Sequence, residues 1–141
     1  MRVVERFYAR GHELIRATHR TTMEFTREET LSERGDCIVA VGATKGAADL
    51  SPKFKELAGR DDARVTIIIE VDGLSEVVNA HGRSGLTFTH PTDMVIRKSL
   101  YTCGRTIAVG ADKAAVDISR DVVRRLQSPD ARVEVTLIAE V

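Results

Sequence analysis

Val41-Gly42-Ala43-Thr44-Lys45-Gly46-Ala47-Ala48-Asp49-Leu50-Ser51 occurs a second time, sixty-eight residues further on, as Val109-Gly110-Ala111-Asp112-Lys113-Ala114-Ala115-Val116-Asp117-Ile118-Ser119. Each copy runs without a gap to the same four residues, Asp62-Ala63-Arg64-Val65 and Asp130-Ala131-Arg132-Val133. A stretch repeated at a fixed offset implies one local structure used twice. From Ile38 to Val71 that offset yields twelve identities in thirty-four positions. Upstream, an offset of seventy-one aligns Ala9 with Ala80, Gly11 with Gly82, Thr18-His19 with Thr89-His90, Thr21 with Thr92 and Met23 with Met94. The three-residue difference falls in a polar loop, where length changes are tolerated. The expected fold is α+β: a single domain over residues 1–141, built from two duplicated βββαβ halves, 1–73 and 74–141. Since a half of about 70 residues is marginal alone, the halves are expected to share one core about a pseudo-two-fold axis.

Working outward from the repeat, Cys37 to Val41 is apolar on both faces and reads as a central strand, which Gly42 ends. Thr44 is placed to cap a short helical turn through Asp49, and Ser51-Pro52 to start a helix that Gly59 stops. Phe54, Leu57 and Ala58 form its apolar face, with Val122, Val123 and Leu126 doing the same behind Ser119 in the second copy. Strands are predicted at Val3–Ala9, Arg64–Val71, Glu76–Ala80 and Arg132–Val141, with Asp72-Gly73 a turn. Apolar and polar residues alternate from Leu14 to Thr26 and from Leu86 to Ile96, which predicts two long half-buried strands, the second interrupted at Pro91. Arg27 to Gly35 reads as a loop, and Arg34-Gly35-Asp36 as a turn before a strand rather than an adhesion motif.

The chain has 43% apolar and 30% charged residues, which places it among globular proteins. Its formal net charge is zero, so it lacks the overall positive field of most nucleic-acid binders. The apolar runs are too short to span a bilayer and the first residues do not resemble a signal peptide, so no membrane association and a cytoplasmic setting are expected. Two cysteines are too few for a disulfide scaffold.

Three constellations carry chemistry. At the repeat, Lys45 and Lys113 stand at a strand-to-helix connection, where unpaired backbone donors and an ammonium attract phosphate. Neither copy has P-loop spacing, and a tight connection with a solvated lysine has the same pattern. The second constellation is His19 with His90, equivalent under the offset and in phase with apolar neighbours, so expected to point inward. With Cys37, Cys103 and Asp93 they could form a polar or zinc-like cluster, or they could simply bond to adjacent Thr and backbone groups. No metal is assigned. The third is a set of cations, Arg20, Arg97, Lys98 and Arg105, which with Lys45 and Lys113 could bind a phosphate-bearing ligand. Few aromatic residues are available for stacking bases.

The motifs Thr18-His19-Arg20-Thr21-Thr22, Arg34-Gly35-Asp36-Cys37, Thr89-His90-Pro91-Thr92-Asp93, Arg97-Lys98-Ser99 and Cys103-Gly104-Arg105-Thr106 make nearly the whole chain resemble the archaeal family known as domain of unknown function 371. The resemblance implies an archaeal cytoplasmic setting and an α+β fold, and no activity, cofactor or catalytic residue. From the residues, the leading expectation is a non-enzymatic protein that binds RNA or a nucleotide. The alternatives are a small enzyme or metalloprotein using His19, His90 and Cys103, and an assembly module pairing through exposed strand edges.

Overall fold

The computed structural model describes residues 1–31 and 35–141. The Arg34-Gly35-Asp36 turn therefore begins outside the described residues. Among the described residues eight strands form two four-stranded sheets. The first contains β1 (Arg2–Arg10), β4 (Arg64–Val71), β5 (Leu74–His81) and β8 (Arg132–Glu140), all antiparallel, in the order β1-β8-β4-β5. Every neighbour in this sheet comes from the other half of the chain or joins across the Asp72-Gly73 turn. The second contains β2 (Thr22–Thr26), β3 (Ile38–Ala40), β6 (Asp93–Arg97) and β7 (Thr106–Ala108), in the order β3-β2-β6-β7. Its central pair is antiparallel and each flanking pair is parallel.

Strict alternation builds the core. Phe7 and Ala9 on β1, Val65, Ile67, Ile69 and Val71 on β4, and Val133, Val135, Leu137 and Ala139 on β8 are all buried on one face of the first sheet. Met23 and Phe25 on β2, with Met94 and Ile96 on β6, meet them from the second sheet, and the Phe7 and Phe25 rings stand edge to face at 5.3 Å between centroids. Helix α1 (Pro52–Ala58) packs against β1 and β8, and α2 (Arg120–Leu126) against β3, β4 and β5. Ser51 accepts a hydrogen bond from the Phe54 N–H, as its position before Pro52 predicts.

Three expectations change. The two long alternating stretches are strands only over Thr22–Thr26 and Asp93–Arg97. Ile15, Ala17, Leu86 and Phe88 are buried from irregular chain, in which Ala17 and Phe88 each take the left-handed conformation at φ 50° and leave the ladder. Cys37–Val41 contributes an edge strand, not a central one; Val39, Ala40 and Val41 are buried there while Cys37 and Ile38 are half-buried, and Val41 bridges back to Arg10. Thr44 caps no helical turn: a 3₁₀ turn at Ala47–Asp49 follows Gly46, and the Thr44 hydroxyl accepts from the Tyr8 N–H on the edge of β1. In the second copy the Ser119 side chain makes no cap hydrogen bond, although the helix begins directly after it.

Candidate functional site

At the repeated connection, Gly42 and Gly110 both end their strands at φ +59°, a conformation that favours glycine. The chain then brings Lys45 Nζ to 2.5 Å from Glu5 Oε2, and Lys113 Nζ to 2.7 Å from Glu76 Oε2. The second oxygen of each carboxylate accepts the N–H of Ser51 or Ser119 at 2.6 Å. Glu5 and Glu76 are both buried, so each connection encloses an anion that belongs to the protein itself. Burial alone would raise the Glu5 pKa, but the hydrogen bonds from Lys45 and Ser51 outweigh it and hold the carboxyl below its ordinary value. The ammonium and the backbone donor that a phosphate would use are thus engaged within the fold.

The other cations divide. Lys98 pairs with Asp117 at 2.8 Å, and Arg20 is exposed. Arg97 and Arg105 converge on the face of the second sheet turned away from the first. Since Phe25 points inward to Phe7, alternation puts Glu24 and Thr26 on that outer face. Cross-strand pairing sets Glu24 beside Val95, Thr26 beside Asp93 and Thr22 beside Arg97, and on β7 Thr106 is next to Val95.

Arg105 spans two carboxylates, Glu24 Oε1 at 3.4 Å and Asp93 Oδ2 at 3.2 Å. The Thr26 and Thr92 hydroxyls donate to the other Asp93 oxygen at 2.8 and 3.0 Å, and His90 Nε2 lies 3.9 Å from Oδ2. Asp93 is therefore well solvated by protein donors. Glu24 is not: its side chain is only 9% exposed and Arg105 is its one recorded partner among the described residues. Burial, then the charge of Asp93, push its carboxyl up to about 7; Arg105 and Arg97 oppose this and Glu28 adds to it. On the same face, Arg97 Nε donates to Thr106 Oγ1 at 2.9 Å, its Nη2 lies 3.5 Å from Cys103 Sγ, and its guanidinium stacks over Tyr101 at 4.9 Å. Burial works against ionising the Cys103 thiol, but hydrogen bonds from Thr106, the Arg105 backbone and Arg97 prevail and bring it down to about 7. Cys37 moves the opposite way, to about 11, through burial and the nearby Glu24 and Asp36.

His19 and His90 act as local caps. Nδ1 of His19 accepts the N–H groups of Thr21 and Thr22, and Nδ1 of His90 those of Thr92 and Asp93. That use requires an unprotonated Nδ1, and fixes each ring at the entrance to a strand. No group of three His, Cys, Asp or Glu among the described residues is placed to hold a metal ion, so the two histidines and two cysteines do not form one zinc-like cluster. Of the predicted residues, Asp93, Arg97, Cys103 and Arg105 lie together on this face, with His90 at its rim. Lys45, Lys98 and Lys113 are tied up elsewhere. Nothing in the sequence singles out Glu24, which is one acidic residue between the apolar Met23 and Phe25 in a five-residue strand.

A separate surface cleft of about 310 Å³ lies beside the Asp72-Gly73 turn, lined by Tyr8, Glu70, Asp72, Arg132 and Glu134 among others. Among the described residues no helix is long and apolar enough to cross a membrane. Residues 7–140 match the family described as domain of unknown function (DUF371). An uncharacterised protein of Methanocaldococcus jannaschii is 43% identical over 119 residues, covering 84% of this chain and 87% of its own.

Proposed function

The chain belongs to the DUF371 family, and for it we propose a proton-gated binding site for a small phosphate-bearing ligand on the outer face of the second sheet. The observation that carries this reading is Glu24, buried beside Arg105 with its carboxyl pushed up to about 7. Asp93 and Arg105 cancel as an ion pair, which leaves Arg97. Below neutral pH, Glu24 and Cys103 are both protonated and the face carries one net positive charge; above it both ionise and the balance becomes one net negative charge. A protonated Glu24 also frees Arg105 from one of its two carboxylates and supplies an O–H donor, while the guanidinium forks of Arg97 and Arg105 suit a phosphate. A site of two cations, with the lysines paired elsewhere, favours a small ligand over an RNA strand.

In the same reading the chain is a single domain of two copies, 1–73 and 74–141. The seventy-one-residue offset makes Glu24 and Val95 equivalent, and these two residues pair directly across β2 and β6. The site then lies on the axis relating the copies, where the second has replaced the carboxylate by an apolar side chain and Cys37 by Arg105.

Amide chemical-shift mapping with inorganic phosphate, and with sulfate as a probe of constant charge, tests the reading. At about pH 6 shifts are expected at Glu24, Arg97, Arg105 and Thr106, with affinity lower by about tenfold or more at about pH 8. Affinity that does not change with pH, or shifts confined to the Lys45 and Lys113 connections, would remove it.

Cys103 favours a second reading, a small enzyme with a thiol nucleophile. Its alkylation rate by iodoacetamide is expected to rise with a midpoint of about 7, and Thr106→Val to move that midpoint toward the ordinary thiol range. A midpoint that is already ordinary in the unaltered protein would end this reading.

A further inference from the structure

At the end of β5 a cleft of about 500 Å³ opens between Asp61, His81, Arg83, Ser84, Leu100 and Val109. Arg83 is half-buried in its wall, and among the described residues no carboxylate forms an ion pair with it. A guanidinium placed this way keeps its N–H donors available to a ligand. The one acid in the lining, Asp61, is turned to Ser84, whose N–H and hydroxyl donate to it at 2.8 and 3.1 Å. The Ser84 N–H and hydroxyl, with a smaller contribution from the charge of Arg83, hold the Asp61 carboxyl below its ordinary value, so its hydrogen-bonding oxygens are taken up by Ser84 and not by the guanidinium.

The rest of the lining is apolar or flat. Two of the lining side chains rest over Gly110 behind them: a Cβ there would meet His81 Cδ2 at 3.1 Å and Leu100 Cδ2 at 3.8 Å. Leu100 is 59% exposed, a large apolar group in the lining of the same cleft as Arg83. The cleft at the corresponding end of β1, about 340 Å³, has no such opening for an anion: Arg10 is ion-paired with Glu29 at 2.9 Å, and Arg132 stacks over Tyr8 at 5.0 Å.

We propose that the His81–Arg83–Leu100 cleft binds a small organic carboxylate with a flat apolar body, the carboxylate on Arg83 and the body between the imidazole and Leu100. This site is separate from the Glu24 face and shares no residue with it. A charge-assisted hydrogen bond to a guanidinium contributes about 1.5–3 kcal/mol, so its loss is expected to weaken binding by about tenfold or more. Amide shift titrations with benzoate and with acetate read this directly. Benzoate is expected to move Arg83, Ser84, Leu100 and Val109, with acetate about tenfold weaker for want of the apolar body. Arg83→Ala should abolish the benzoate response and Arg83→Lys, which keeps the charge but not the fork, should retain part of it. If Arg83→Ala perturbs the fold, as spectra away from β5 would show, Arg83→Lys and Leu100→Ala serve as the deciding pair, each expected to weaken benzoate. Benzoate and acetate binding equally, no shift at these four residues, or a response untouched by the Arg83 and Leu100 substitutions overturns the proposal.

Discussion

Phe25→Ala is expected to lower the free energy of unfolding by about 3–5 kcal/mol, the range found when a buried phenylalanine is cut back to alanine. Phe25 is completely buried on β2 and its ring meets Phe7 of β1 edge to face, so it joins the two sheets. The loss combines the apolar surface returned to water with the void between the sheets, and the aromatic pair itself accounts for about 0.5–1.5 kcal/mol of it. Domains of this kind are stable by only about 5–15 kcal/mol, so the variant should unfold at much lower urea concentration. Val4→Ala provides the contrast. Val4 is on the outer face of the same strand as Phe7 and is 44% exposed, and its truncation should change stability by about 0.5 kcal/mol or less. Urea unfolding of both variants measures the difference. Comparable losses would mean that the sheets are not held together by this contact.

Glu24→Gln is expected to stabilise the protein at alkaline pH and to leave it nearly unchanged in acid. The folded carboxyl, pushed up to about 7, lies above the ordinary value of 4.5 that applies to the unfolded chain. As pH rises through that window the unfolded chain releases its proton while the folded chain keeps it, so the wild type becomes less stable and the loss is complete above about 7. Its limit is roughly 3 kcal/mol, reduced by any water that reaches the side chain. Glutamine cannot ionise, still offers an oxygen to Arg105, and escapes the penalty. Glu5 has the opposite dependence, since its lowered pKa gives stability that is present above about 4.5 and lost as pH falls further. That term is common to wild type and variant and cancels in the comparison. Urea midpoints at about pH 4.5 and about pH 8 carry the test. A Gln variant less stable than the wild type at alkaline pH would show that Glu24 is ionised and usefully paired with Arg105.

The elements that the sequence shows best are those written in local chemistry. Ser51-Pro52 marks the start of α1, Asp72-Gly73 the turn between β4 and β5, and the alternation of Arg64–Val71 a strand with those same ends. Alternation misled where it reports burial without pairing. Ile15, Ala17, Leu86 and Phe88 enter the core as strand residues would, yet their backbone is irregular, and nothing local announces the left-handed turn at Ala17 or Phe88. The edge position of β3 was equally hidden, because a continuous apolar run tells only that both faces are covered.

The site divides along the same line. Asp93, Arg97, Cys103 and Arg105 stand out as chemistry-bearing residues close together in the chain, and folding collects them on one face. Glu24 reads as an ordinary acid on the polar phase of a strand; only the second sheet's pairing and the coverage of its outer face turn it into a buried one. Glu5 and Glu76 had a legible signal, an acid in the inward phase of β1 or β5 alongside Phe7 or Val78, and they explain why the repeated lysines are kept.

The central claim is that Glu24 holds its proton up to neutral pH. A ¹³C titration of the side-chain carboxyls, with the Glu24 resonance identified by its loss in Glu24→Gln, measures this on the atom concerned. The predicted midpoint is about 7, well above the other glutamates. A midpoint at the ordinary 4.5 would contradict it, and with it the proton-gated site.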